Sequence, residues 1–371
     1  MIVKKLEFEN FRNLNNSYIE PDGGVNVIYG ENAQGKTNLL ECIWLFCGGH
    51  SFRGAKENEL IQFEKDFFKI KMDFYSFSRE QNAEIRFFNS KKQVFLNGVE
   101  KISSSFLTEV FSAVVFSPEH LTLIKRGPAL RRKFLDGAIC QQKIRYAVAL
   151  SKYNQIINQR NALLKDIFKH KELKDTLQIW DDSLTSCGAI ILKERLEYIK
   201  KLKEYAREYH FGISFDKETL DMEYISTANI DENDSLEVIK DKLEKAYQKS
   251  RNEDFHTGYT SVGPHRDDMD IKINSISAKT FGSQGQQRSA VLSIKLSEAS
   301  LLFEKNVEKP IILLDDVLSE LDSKRQDFLL NKTDSYQTFV TCCEESNKEQ
   351  LRKGKVFSVS NGVITNVSAL R

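Results

Sequence analysis

The chain has 371 residues, 40% of them hydrophobic and 29% charged, with 54 basic against 53 acidic side chains. That length supports a large core and two structural units, and the near-balance of charge excludes a global field for polyanions, so any nucleic-acid contact has to come from a local basic patch. Six cysteines, at 42, 47, 140, 187, 342 and 343, include no C-x-x-C pair, which favours reduced thiols over a disulfide framework or a cysteine–histidine metal site.

The first stretch, MIVKKLEFENF, lacks the apolar core of a signal peptide, and no apolar run approaches membrane length; a cytoplasmic protein with no membrane partner is expected. Residues 2–8 read as a strand, followed by FRNL at 11–14. Residues 25–46, VNVIYGENAQGKTNLLECIWLF, read as strand, glycine-bounded loop and helix. Val25, Val27 and Ile28 form a β-rich run that stops at Gly30; from Lys36 onward Leu39, Leu40, Ile43 and Trp44 share one helical face. Between them Gly30, Gly35, Lys36 and Thr37 fit G-x-x-x-x-G-K-[ST], the phosphate-binding loop. Glycines let backbone N–H groups curl around an anion, and the helix start adds partial positive charge. Lys36 is expected to reach the β- and γ-phosphates and Thr37 to hold Mg²⁺. The nucleotide-binding stretch is then Gly30, Glu31, Asn32, Ala33, Gln34, Gly35, Lys36, Thr37 and Asn38.

Residues 67–99 alternate and turn repeatedly, an antiparallel meander with a turn at Asn97-Gly98. Residues 113–124 end this region at Ser117-Pro118. From Lys125 the periodicity is helical. Two long helical segments, to 168 and from 176 to 209, flank the polar break KHKELKD and predict an antiparallel hairpin. A short strand near 222–225 and a helix over 235–250 complete this middle part. Past 250 β character returns. The expected organisation is therefore 1–124, 125–250 and 251–371. Within the last part, GPHRDD at 263–268 reads as a glycine-proline turn with a charged tip rather than as a catalytic His265–Arg266 pair.

Residues 311–314 form a β-rich apolar run bounded by Pro310, which fits a buried parallel strand. Asp315 and Asp316 follow at its carboxyl end, where open α/β sheets place ligands. In a nucleotide site the first would support Mg²⁺, and the second would orient or deprotonate an attacking water. Ahead of them FGSQGQQRSAVLS, 281–293, reads as an N-capped helix with Ser283 or Gly285 near the cap.

The order of phosphate loop, serine-glycine-glutamine loop, acidic strand end and Ser319-Glu320-Leu321-Asp322 resembles an ABC-type ATPase head. The combination FRNL, GENAQGKTNLLE, SPEHLTLIKRGPALRRKFLD, GPHRDD, GSQGQQR and LLDDVLSELD resembles the RecF family, within the SMC class. That resemblance implies an α/β P-loop head of mixed sheets around the phosphate-loop helix, with an inserted helical-hairpin arm. It implies ATP and Mg²⁺ as ligands, weak DNA-dependent hydrolysis, and an ATP-driven homodimer clamping single- and double-stranded DNA at gaps. RecR and RecO are the implied partners, in SOS-linked repair and replication. By resemblance Lys36 and Thr37 take the phosphate and metal roles, Asp315 the metal and Asp316 the catalytic role. Ser283, Gln284, Gly285 and Gln286 match the loop that acts in trans, Asp322 the loop after the acidic strand, and Arg12 a nucleotide-contacting arginine. ABC heads place a γ-phosphate histidine after the next strand; this chain has none beyond His265, and Thr341 is expected in its place, which implies slow hydrolysis. For DNA, the densest cluster is Lys125, Arg126, Arg131, Arg132 and Lys133, with Lys91 and Lys92 second; the rival expectation pairs these arginines with acids at a domain boundary. Two other functions compete. A metabolite kinase would leave the serine-glycine-glutamine loop unexplained, and a structural SMC-like chromosome protein would need a longer heptad arm.

Overall fold

The computed structural model describes residues 1–47, 50–167, 170–343 and 354–370, with side chains for all of these except 171 and 367–370. The chain divides into two compact units, one made of 1–122 and 288–371, the other of 123–287.

The first unit holds two sheets. The antiparallel one runs in the order Ser17–Ile19, Ile2–Glu9, Phe67–Ser76, Arg79–Phe88, Lys91–Leu96, Val99–Lys101. Strand Phe67–Ser76 buries Phe68, Ile70, Met72 and Phe74, every second residue, so one face enters the core. Asn97 and Gly98 both have positive φ, 52° and 78°, as the two-residue hairpin turn read from the sequence requires.

The second sheet runs Val363–Leu370, Gly354–Ser360, Val25–Tyr29, Thr338–Cys342, Ile311–Leu314, Ala113–Phe116, and every pairing except that of the first two strands is parallel. Strands Ile311–Leu314 and Ala113–Phe116 are buried at every residue, and they are continuous apolar runs for that reason. The helix Lys36–Trp44 belongs to one core with both sheets: its Leu39, Leu40, Cys42 and Ile43 join Ile28, Leu313 and Phe339 of the parallel sheet and Leu6, Phe8 and Ile70 of the antiparallel one. Each fully buried leucine or isoleucine there contributes about 1.5–3 kcal/mol. The helix start is thus fixed in place by packing along its whole length.

The second unit contains Pro128–Cys140, the hairpin of Ile144–Ile167 and Leu177–Ile213, and the helix Leu236–Thr257. Its three-stranded antiparallel sheet runs Ile276–Ser277, Asp268–Ile273, Leu220–Ile225. The boundary expected at 250 lies instead at 287. A lone strand at 220–225 leaves its backbone groups unpaired, and the partner that satisfies it comes from 268–273. Buried charge also ties the segment in. Arg160, fully buried, bonds Asp181 and Asp254 at 2.8 Å each and the Thr260 hydroxyl at 2.8 Å. The GPHRDD turn is held from beneath: Arg195 donates to the Pro264 carbonyl (2.7 Å), and Tyr224 and Thr227 donate to Asp267.

Candidate nucleotide site

The phosphate loop leaves the carboxyl end of Val25–Tyr29, beside Thr338–Cys342 with Tyr29 opposite Cys342, and next comes Ile311–Leu314. Three carboxyl ends therefore converge on the start of the helix Lys36–Trp44. Gly30 and Gly35 make the loop fit. A Cβ on Gly30 would lie 2.2 Å from the Val359 carbonyl oxygen, and Gly35 sits at φ +121°. Gly35 is also the helix N-cap, with no side-chain cap bond. The first-turn N–H groups are thus left for an anion.

Lys36 is 6% exposed. Its ammonium donates to the Gly30 carbonyl (2.6 Å), the Glu31 carbonyl (3.1 Å) and the Cys343 sulfur (3.2 Å). Among the described residues it has no carboxylate partner, so its charge is kept for a ligand. The Thr37 hydroxyl donates to Asp315 Oδ1 at 2.8 Å, and the Thr341 hydroxyl to the same oxygen at 3.2 Å. Asp315 is 6% exposed. Burial pushes its carboxyl above the usual aspartate range, against the two hydroxyls that lower it and with neighbouring Asp316 adding to the rise. A buried carboxylate beside a hydroxyl, both at strand and helix ends, is a donor pair that suits Mg²⁺, which takes one or two protein ligands and completes its shell with phosphate oxygens and water. Asp316 adopts φ 53°, with its N–H on the Thr341 hydroxyl (2.8 Å) and its carbonyl accepting from Ser319 (2.7 Å). The backbone turns there, so the two acids do not duplicate each other.

Thr341 itself is 1% exposed and lies beneath the acidic pair. The side chain that reaches the loop mouth from this strand end is Cys343. Arg12, expected to contact nucleotide, is bonded to groups of the protein. Its guanidinium grips the fully buried Glu41 of the phosphate-loop helix (2.9 and 3.3 Å) and the Glu59 carbonyl (2.9 Å), with Ser51 donating to Glu41 as well. Its neighbour Asn13 touches the loop, donating to the Ala33 carbonyl (3.1 Å) and accepting from Asn38 (2.7 Å). Asn38 is held on its other side by Arg53 (3.1 Å). The Gln34 side chain accepts from the Asn361 N–H and its carbonyl from Gly362 (3.1 Å). Glu41, Asn13 and Cys343 were not read from the sequence. Asn13 lay inside the noted FRNL, but a glutamate in a helix and a cysteine after a strand carry no pattern.

In the second unit, Ser283 and Gln286 cap the helix Gln284–Asn306 reciprocally: the Gln286 N–H donates to the Ser283 hydroxyl (3.2 Å), and the Ser283 N–H to the Gln286 side chain (2.9 Å). Gln286 also donates to Glu218 (2.7 Å), while Ser283 and Gln284 are exposed and Gly285 is half-buried. Asp322, in the first unit, is the N-cap of Ser323–Thr333, and hydrogen bonds from Arg325 hold its carboxyl below the usual range despite some burial.

The basic cluster needs correction. Arg131 is 3% exposed, with both guanidinium arms on Asp268 (2.6 and 2.8 Å) and further bonds to the carbonyls of Leu123, Ile124 and Arg126. It clamps helix Pro128–Cys140 to strand Asp268–Ile273 and is buried away from the surface where phosphate would bind. Arg132 is half-buried on the Asp267 carbonyl (2.7 Å), and Lys92 pairs with Glu57 (3.1 Å). Lys91, Lys125, Arg126 and Lys133 are exposed.

The DNA replication and repair protein RecF of Lachnoclostridium phytofermentans is 39% identical over 367 residues, covering 98% of this chain and 99% of that one. That of Agathobacter rectalis is 41% identical over 368 residues, with 98% and 99% covered. The family description RecF/RecN/SMC N terminal domain matches residues 2–365. The chain belongs to the RecF family. In structure, the recombination mediator protein RecF with ATP, of the RecFOR pathway, matches this RecF-family chain with a TM-score of 0.92 at 38% identity, over 99% of this chain and 98% of that one. The SMC head bound to the C-winged helix domain of ScpA matches at 0.57 and 16% identity, over 100% and 98%, a likeness of fold alone. The fold is the expected ABC-type ATPase head with an inserted helical arm. Among the described residues no helix is long and apolar enough to cross a membrane.

Proposed function

We propose that this chain is a cytoplasmic, ATP-dependent DNA-binding protein of replication and repair, a recombination mediator that clamps single- and double-stranded DNA at gaps as an ATP-driven homodimer and hydrolyses ATP slowly. The seat between Thr37 and Asp315, 2.8 Å apart beside a buried Lys36 ammonium, supports it most directly. Lys36 and the uncapped helix start would hold the β- and γ-phosphates; Thr37 and Asp315 would hold Mg²⁺. Bound there, Mg²⁺ supplies charge neutralisation across the phosphate oxygens. Asp316 orients the attacking water. Exposed Ser283 and Gln284, at a helix start, suit a phosphate of the second copy. No histidine stands after the strand Thr338–Cys342, in keeping with slow turnover of a switch. DNA contact falls to Lys125, Arg126, Lys133 and Lys91, with Arg132 and Lys92 at the margin. RecR and RecO are the proposed protein partners, in SOS-linked repair. DNA affinity measured across a salt series, with and without MgATP, tests the function: tighter binding with MgATP and a steep salt slope are expected. Equal affinity in both conditions would refute ATP dependence.

A further inference from the structure

Strand Thr338–Cys342 ends in three residues with different fates. Thr341 is buried under the acids, Cys342 is buried in the core, and Cys343 is exposed. The Cys343 sulfur accepts from Lys36 Nζ at 3.2 Å, donates to Asn32 Oδ1 at 2.9 Å and lies 3.8 Å from Asp316 Oδ1. Its three partners are the phosphate-binding lysine, the middle of the phosphate loop and the catalytic candidate. The Lys36 ammonium, itself buried, points at this sulfur and at loop carbonyls that a triphosphate has to replace.

The other five cysteines are poorly placed for thiol chemistry. Cys42, Cys47, Cys187 and Cys342 are buried and Cys140 is half-buried. Burial pushes the thiols of Cys42 and Cys47 well up, and that of Cys140 to about 12. The thiolate is the reactive form, and access is the second requirement. Access leaves Cys343 as the reactive position.

We propose that Cys343 lines the phosphate end of the nucleotide site, and that a mixed disulfide on its sulfur excludes the triphosphate, so that ATP binding by this chain depends on thiol state. This rests on the nucleotide reading above. The Cys343 thiolate attacks one sulfur of a low-molecular-weight disulfide. The Cys343 S–S bond forms as the reagent's own S–S bond breaks; the second half leaves as a thiolate and takes up a proton equal to the one Cys343 released. An excess of free thiol reverses the exchange. The attached group lies within contact distance of the Lys36 ammonium, where phosphate oxygens must bind.

The full chain, reduced and then treated with glutathione disulfide, is mapped by peptide mass spectrometry and titrated with MgATP. The mixed disulfide is expected at Cys343, formed roughly tenfold more slowly when MgATP is present, and the modified chain should lose about tenfold or more in ATP affinity, a loss worth about 1.4 kcal/mol. Dithiothreitol should restore it. Cys343→Ser, whatever its own affinity, should show the same affinity before and after treatment, while Cys140→Ser should keep the wild-type response. Modification of Cys343 at one rate with and without MgATP, or a modified chain that binds ATP as the reduced one does, would overturn the inference. A reduced wild-type chain that binds no ATP would overturn the nucleotide reading first, and this inference with it.

Discussion

Thr37 and Asp315 are 278 residues apart in sequence, and the hydroxyl of one donates to the carboxylate of the other at 2.8 Å. The phosphate loop and the acidic strand therefore form one seat. Its two halves are brought together because Val25–Tyr29 and Ile311–Leu314 both flank Thr338–Cys342 in a single parallel sheet.

Asp315 has a pH signature. Its pKa is raised in the folded chain, so between the ordinary aspartate value and the raised one the folded chain holds more protons than the unfolded chain. The stability Asp315 contributes is fully present below the ordinary value and is lost as pH rises through the folded value. Above that folded value the ionised carboxylate is a local cost that a bound cation offsets. Asp315→Asn should raise the melting temperature of the ligand-free chain and abolish the further rise on adding MgATP. Asp316→Asn should keep that rise and slow turnover, trapping the ATP state. Calorimetric melts of both variants with and without MgATP decide; equal MgATP responses in the two would contradict the division of roles.

Lys36→Ala should cost ATP affinity heavily, because hydrogen bonds from a charged donor are worth about 1.5–3 kcal/mol each, roughly ten- to a hundredfold. The bonds Lys36 makes in the ligand-free chain go to carbonyls of its own loop, so the fold should persist. Circular dichroism and MgATP titration together check this. A variant that unfolds would make the lysine a core residue.

Arg12→Ala should destabilise the chain by about 3–5 kcal/mol, the cost of leaving a buried charge without its partner, since Glu41 is 0% exposed. A residue that only touched nucleotide would leave the melting temperature of the free chain unchanged. Combining Arg12→Ala with Glu41→Gln should recover part of the loss, which a double-mutant cycle by urea unfolding measures.

Charge reversal at Lys125 and Lys133 should weaken DNA binding across sequences and flatten the log–log salt dependence by about one unit per lost phosphate contact. Arg131→Glu should instead destabilise the second unit, since it sets a glutamate against Asp268 where the guanidinium made bonds at 2.6 and 2.8 Å. An unchanged salt slope in the lysine variants would move the DNA surface elsewhere.

The legible parts of this chain were those with local patterns. Gly30, Gly35, Lys36 and Thr37 occupy one short loop whose chemistry fixes both residue types and spacing. The apolar run at 311–314 announced a strand buried on both faces, and Asn97-Gly98 a hairpin turn. What stayed hidden depends on contacts between distant segments. Arg131 reads as one more cation in a basic run; only its 137-residue reach to Asp268 makes it structural. The boundary at 287 rather than 250 follows from strand Asp268–Ile273 pairing back to Leu220–Ile225, which no local period reveals. Cys343 carries no motif at all. Its place at the loop mouth comes from the register that sets Cys342 opposite Tyr29.

The most direct test of the central claim is sedimentation velocity of the reduced full chain at one protein concentration, alone, with Mg²⁺ only, with MgATP, and with MgATP plus gapped DNA. A monomer is expected in the first two, a dimer with MgATP, and a dimer on DNA in the last, with Lys36→Ala monomeric throughout. A wild-type chain that stays monomeric with saturating MgATP, or a Lys36→Ala chain that dimerises as wild type does, would contradict it.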